Sequence, residues 1–152
     1  MSICRSAKHE NAIEALKRSG LKITRPRMAV IDAFCQSDKP LNHKDIYQHI
    51  LAKGEASTDL TSVYRTVEAF KKNQLIHEVQ GEGFLLCQYK ECEQQAHILT
   101  FCTNCKKSLE AHVPDSILSP IHWYLREQLR FAPCEHYIQL DGLCEACQQK
   151  GH

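Results

Sequence analysis

The sequence predicts an α+β fold, an N-terminal winged helix-turn-helix followed by a small α/β dimerisation domain. Three observations carry that prediction. Four amphipathic helical stretches precede two short apolar runs joined by a glycine turn, which is the element order of a winged helix-turn-helix. Two C-x-x-C pairs, Cys102/Cys105 and Cys144/Cys147, bracket much of the remaining chain. The charge also changes sign along the chain: residues 1–74 carry 13 Lys/Arg against 8 Asp/Glu, and residues 75–152 carry 6 against 10. A basic first half suits nucleic acid and an acidic, Cys- and His-rich second half suits cations, although a solvated charged face produces an imbalance of this size nearly as often.

The elements follow in order. A first helix is expected over 8–19, with Ala12, Ile13, Ala15 and Leu16 toward one side and Gly20 as its stop. A second begins at Thr24, whose hydroxyl is placed to cap it, with Pro26 in the first turn and Met28, Val30, Ile31, Ala33 and Phe34 as a broad apolar face. Ser37-Asp38-Lys39-Pro40 breaks it. The third runs from Asn42 to Lys53 with Ile46, Ile50 and Leu51 inward and Gly54 ending it. The fourth follows the capping cluster Ser57-Thr58-Asp59 and spans Leu60 to Asn73, with Val63, Val67 and Phe70 inward. Leu75 to Val79 and Phe84 to Tyr89 then form a hairpin around Gly81-Glu82-Gly83.

The polar stretch from Lys90 to Ala96 reads as a linker, giving a DNA-binding domain over 1–89, a linker over 90–96 and a dimerisation and metal domain over 97–152. In that second domain His97 to Phe101 and Ser108 to Val113 read as strands. Asp115 to Arg130 reads as a helix carrying Leu118, Ile121, Leu125 and Leu129 on one face despite Pro120. Phe131 to Leu140 alternates as a strand, and the second thiol pair falls in a short final helix. The dimer surface is expected along Leu118, Leu125 and Leu129 with the strand through Ile138.

The 152 residues, 43% of them hydrophobic, suffice for ordinary globular cores. The start lacks the apolar run of a secretory signal and nowhere do eighteen apolar residues run together, so a cytoplasmic location is expected. Nine cysteines without an export signal point to metal ligation rather than to disulfides. Two intervening residues let both sulfurs of a C-x-x-C pair face one ion at about 2.3 Å, and a second pair completes a tetrahedron. Cys102, Cys105, Cys144 and Cys147 are therefore the expected ligands of a structural zinc ion with no open position for catalysis. An enzyme reading fares poorly. Zinc deaminases carry H-x-E followed by P-C-x-x-C, whereas neither Cys102 nor Cys144 follows a proline and Glu110-Ala111-His112 has the reverse order. A thiol oxidoreductase would need one exposed reactive pair.

Leu21-Lys22-Ile23-Thr24-Arg25-Pro26-Arg27, Thr61-Ser62-Val63-Tyr64-Arg65-Thr66-Val67 and the two thiol pairs resemble the ferric uptake regulator (Fur) superfamily of metal-responsive repressors, over nearly the whole chain. The stretches 75–79, 84–87 and 141–144, with His97 and Glu110, are most similar to its zinc uptake regulator (Zur) branch. That resemblance implies a zinc-responsive repressor of zinc-uptake genes, acting as a homodimer on double-stranded operator DNA, with two zinc ions per subunit. It also implies a regulatory zinc site of His77, Cys87, His97 and Glu110, with Glu91, Glu93 and His112 as alternatives to Glu110 and Cys92 as a competitor of Cys87. One thiolate, two imidazoles and a carboxylate suit zinc, and the thiolate tilts the set toward a softer ion than oxygen-rich sites select. Iron and peroxide sensors of the superfamily carry a His-rich segment before the first thiol pair. Gln94-Gln95-Ala96-His97 supplies a single histidine there, which disfavours that alternative and a third metal site; His122, on the long helix, is expected to be structural or exposed.

For DNA, Thr61, Ser62 and Arg65 share the early turns of the fourth helix, the part of a recognition helix that enters the major groove. Arg65 is placed to grip guanine O6 and N7 together, and Tyr64 to meet a phosphate or a thymine methyl. Lys22, Arg25, Arg27 and Lys44, with Lys17 and Arg18, are the expected phosphate contacts. Cys4, Cys35 and Cys134 are expected to have no special role.

Overall fold

The computed structural model describes residues 2–55, 57–88, 97–133 and 137–150, with side chains from residue 7 onward. The first part holds α1 (Ser2–Arg18), α2 (Arg25–Cys35), α3 (His43–Ala52), α4 (Leu60–Lys72) and the antiparallel hairpin β1 (Ile76–Val79) and β2 (Gly83–Leu86). The second holds β3 (His97–Cys102), β4 (Ser108–His112), α5 (Asp115–Glu127), β5 (Tyr137–Gly142) and α6 (Glu145–Gln149). Its sheet has the order β4-β3-β5, with β3 antiparallel to β4 and parallel to β5 across the α5 connection. This is the α+β winged helix-turn-helix plus small α/β domain that the element order predicts.

Local chemistry sets the helix starts. Asn42 and Asp45 form a reciprocal capping box at 2.9 and 3.1 Å, and the Asp59 carboxylate accepts from Ser62 N at 2.7 Å. Thr24 is the cap residue of α2, yet its side chain makes no capping hydrogen bond; the helix starts at Arg25, with Pro26 in the first turn, where its missing N–H costs nothing. Leu16, Val30, Ile31, Ile46, Ile50, Val63, Val67 and Phe70 are almost wholly buried together. Each such side chain contributes about 1.5 to 3 kcal/mol of hydrophobic stabilisation, and together they fix α4 against α2 and α3. Leu51, expected inside, is 40% exposed, because α3 turns that position outward beyond Ile50.

The wing is joined to the helical core through Leu41, which exchanges backbone hydrogen bonds with Phe84 at 3.0 and 2.9 Å. Gly83, at φ +131°, passes so close that a Cβ there would lie 2.6 Å from the Leu41 carbonyl carbon. Only glycine fits both the conformation and the space.

In the second part α5 ends at Glu127 rather than Arg130, where φ turns positive, and β5 starts at Tyr137 rather than Phe131. Leu118 packs inside this part of the chain at 1% exposure, so it is no part of an outer stripe. Leu125 and Ile138 are half-buried. Leu109, Ile117, Ile121, Trp123, Tyr124, Leu129, Phe131, Leu140 and Leu143 are the exposed large apolar side chains among the described residues there. The expected linker over 90–96, with Cys92, Glu91 and Glu93, lies outside the described residues, as do Tyr89, Cys134 and the Cys4 side chain. Among the described residues no helix is long and apolar enough to cross a membrane.

Several polar contacts join the two parts. Lys107 pairs with Asp38 at 3.1 Å, Lys106 with Glu82 at 3.3 Å, and Ser108 N donates to Asp38 O at 3.1 Å. Tyr137 OH donates to Glu78 O at 3.2 Å, and Gln80 N donates to Gln139 Oε1 at 3.0 Å.

Candidate metal centres and nucleic-acid interface

Four side chains meet where the wing faces the second sheet. His77 comes from β1, Cys87 from the residue after β2, His97 from the first position of β3 and Glu110 from β4. Strand alternation brings them together: Glu110 lies opposite Leu99, which shares a face with His97, so the carboxylate is diagonal to the imidazole. All four are buried, at 3%, 6%, 0% and 7% exposure. His97 Nε2 and His77 Nε2 lie 3.0 and 3.2 Å from Glu110 Oε1 and 3.0 Å from each other, and Cys87 Sγ donates to the same oxygen at 3.4 Å. One potential ligand atom from each residue lies within 4.8 Å of the others.

Buried polar groups this dense are costly unless satisfied. Burial alone would push the Glu110 carboxyl up, yet hydrogen bonds from His77, His97 and Gln88 N hold it down at about 2. Burial likewise pulls His77 down, and its contacts with Cys87 and Glu110 outweigh this and raise it. The result is a carboxylate with lone pairs aimed at two imidazoles and a thiol, a donor set of the kind zinc accepts. Gln88 N holds the other carboxylate oxygen, Oε2, at 2.8 Å and so fixes the rotamer. A backbone donor leaves no signature in the sequence, and neither does Tyr137, whose ring lies 4.6 Å from that of His77. Of the alternatives to Glu110, His112 is exposed and is not one of the four, while Glu91 and Glu93 lie outside the described residues.

The second cluster joins Cys102, Cys105, Cys144 and Cys147. Cys102 ends β3, Cys105 closes the turn after it, Cys144 caps α6 and Cys147 lies within it. Cys105 and Cys144 sulfurs are 3.7 Å apart, and Cys144 N donates to Cys102 Sγ at 3.4 Å. Backbone amides of Cys105, Cys144 and Asn104 draw the Cys102 thiol down to about 6, whereas neighbouring Cys144 pushes Cys147 up to about 11. Thiols stacked this closely without an intervening cation repel as thiolates, so the cluster fits a divalent ion better than four bare sulfurs.

On the helical part, Lys22, Thr24, Pro26, Arg27, Ser62, Arg65 and Thr66 line one open groove of about 320 Å³. Arg27 is steadied there by donating to Lys22 O at 2.6 Å. The structure thus brings Lys22, Arg27, Ser62 and Arg65 together at the start of α4. Thr61, Tyr64, Arg25 and Lys44 are exposed outside that groove. Tyr64, 45% exposed, stacks on His43, a residue for which the sequence carries no signal beyond its place at the start of α3.

Compared with known proteins, residues 18–138 match the model of the ferric uptake regulator family. The chain belongs to the ferric uptake regulator family. Members of that family are transcription regulators, and the chain is a Fur-family transcriptional regulator. It is 30% identical over 142 residues to the ferric uptake regulation protein of Staphylococcus epidermidis, covering 93% of this chain and 97% of that protein. The Neisseria meningitidis ferric uptake regulation protein is 27% identical over 143 residues, 93% and 96% of the two chains. Among solved structures, a zinc uptake regulator complexed with zinc and DNA superposes with a TM-score of 0.77 at 19% identity, over 96% of both chains. The holo XcZur structure superposes with a TM-score of 0.69 at 23% identity, over 91% of this chain and 99% of that one. At such identities the likeness speaks for the shared fold.

Proposed function

We propose that the chain is a zinc-responsive repressor of zinc-uptake genes that binds operator DNA as a homodimer when a regulatory zinc site is filled. The observation that carries this reading is the convergence of His77, Cys87, His97 and Glu110 from four separate segments on both sides of the proposed linker. A zinc ion held by these four would tie the wing to the second sheet and so fix the angle of the DNA-binding head. Cys87 favours a softer ion than iron, which supports zinc. The named likeness of the fold to zinc uptake regulators, one of them bound to DNA, points the same way.

In this reading the domains are 1–89, 90–96 and 97–152, and the tetrathiolate site staples the second domain permanently. Arg65 reads guanine and Lys22, Arg25, Arg27 and Lys44 position the protein on phosphates. Exposed Ile117, Ile121, Trp123 and Tyr124 on α5, with Leu140 on the edge strand β5, supply the apolar surface for the dimer. Dimerisation would set two recognition helices about 34 Å apart or a multiple of that.

A second reading, an iron-responsive regulator, draws on the curated relatives, which are named ferric uptake regulation proteins. Operator binding measured across buffered zinc and buffered ferrous iron separates the two. Zinc at low free concentration should drive binding and iron should not; the reverse preference would overturn the zinc reading. His77→Ala and Cys87→Ser should remain folded dimers that lose tight operator binding under zinc, and normal repression by either would remove the regulatory assignment.

A further inference from the structure

His43 begins α3, directly after the capping residue Asn42, and its ring lies flat on Tyr64 of α4 with centroids 4.0 Å apart and planes 11° apart. The same ring meets Phe84 of β2 edge-on, at 5.4 Å and 77°. Three elements therefore meet on one imidazole: the helix preceding the recognition helix, the recognition helix and the wing. His43 Nε2 is buried and has no hydrogen-bond partner among the described residues. An unsatisfied buried nitrogen is unfavourable, so the ring is kept by its faces rather than by its polar atoms. Burial lowers its pKa, opposed by Glu68 and assisted by Lys71, which leaves a neutral ring suited to stacking. Tyr64 is 45% exposed and adjoins Arg65, on the face proposed above to meet DNA. Phe84 lies three residues before Cys87, on the strand that leads to the proposed regulatory site.

We infer that His43 is a positioning residue for DNA reading, the shelf that fixes the Tyr64 ring toward the major groove and joins the recognition helix to the wing. The inference rests on the DNA-binding reading above and adds to it. A tyrosine on an exposed helix face otherwise samples several rotamers, and ordering it at the moment of binding costs affinity. Stacking on His43 and the backing of that ring by Phe84 remove most of that cost in advance. His43 itself need not touch DNA.

The test is a selection from a random-sequence duplex pool by the zinc-loaded protein, followed by affinity measurements on the duplex that the wild type enriches. His43→Ala should weaken binding to that duplex by about tenfold, in the range of coupled neighbours, and flatten preference at one or two base pairs. His43→Phe, which keeps a flat ring and removes the unpartnered nitrogen, should restore both. Tyr64→Ala should cost clearly less in the His43→Ala background than in the wild type, while zinc content and half-saturation by zinc stay unchanged. Additive losses, wild-type binding by His43→Ala, or a His43→Phe as weak as His43→Ala would overturn the shelf. If His43→Ala does not fold, His43→Gln takes its place under the same criteria. A zinc-loaded wild type that enriches no sequence overturns the DNA-binding reading itself, a result distinct from any of these.

Discussion

Glu110→Gln perturbs the proposed regulatory site at its centre while leaving the backbone contact a possible partner. In the wild type Oε2 accepts from Gln88 N at 2.8 Å and Oε1 faces His77, His97 and Cys87 at 3.0 to 3.4 Å. An amide can satisfy only one of these sides. With its oxygen toward Gln88 N, its NH2 group faces the imidazoles and the thiol and offers no lone pair to an ion. Turned over, it sets two buried donors against each other, at a cost of about 1 to 3 kcal/mol. The site therefore falls from four ligands to three. Changing an outer-shell partner alone lowers metal affinity about 10- to 100-fold, so loss of a direct charged ligand should cost at least about 100-fold, or about 2.7 kcal/mol. The assay is fluorescence anisotropy of labelled operator across buffered free zinc. The midpoint should move to at least about 100-fold higher zinc with the tetrathiolate ion still bound. A midpoint within about threefold of the wild type would refute the assignment of Glu110 as a ligand.

Other substitutions separate the remaining parts. Cys105→Ser should release the ion from the thiol cluster and lose the dimer on size-exclusion chromatography with light scattering; a stable dimer of unchanged mass would count against a staple. Gly83→Ala should lower thermal stability, since its Cβ would press on the Leu41 carbonyl at 2.6 Å in a left-handed conformation. Overpacking of that kind costs about 1 to 3 kcal/mol, and calorimetry showing an unchanged midpoint would contradict the tight wing contact. Arg65→Ala should flatten sequence preference at a guanine by about 1 to 3 kcal/mol, whereas Lys44→Ala should weaken all sequences alike and shallow the salt dependence. Equal preference in Arg65→Ala and wild type would move base reading to another residue.

Much of the architecture was legible because its signals are local. Pro26 in the first turn of α2, Asp59 before α4 and Gly81 and Gly83 in the wing turn each mark an element within a residue or two of its observed position. The thiol quartet was legible from spacing alone. The His77, Cys87, His97 and Glu110 set was legible only through family resemblance, because its members are scattered over 34 positions and meet through tertiary contacts between sheets. Misreadings fall where burial depends on what an element packs against. The apolar periodicity of α5 treats Leu118 and Leu129 alike, yet the first is buried and the second lies beyond the helix end, exposed. Leu51 shows the same effect on α3. His43 escaped notice because a histidine beside a cap gains its role only from Tyr64 and Phe84, which lie 21 and 41 residues away.

The central claim is that two clusters hold metal with different permanence and that the labile one governs DNA binding. Metal content per subunit, measured together with operator affinity on protein saturated with zinc and again after mild chelation, tests it most directly. The account predicts two ions falling to one, with tight operator binding lost at the same step and the dimer retained. A single ion under saturating zinc, or undiminished operator binding after chelation, would contradict it.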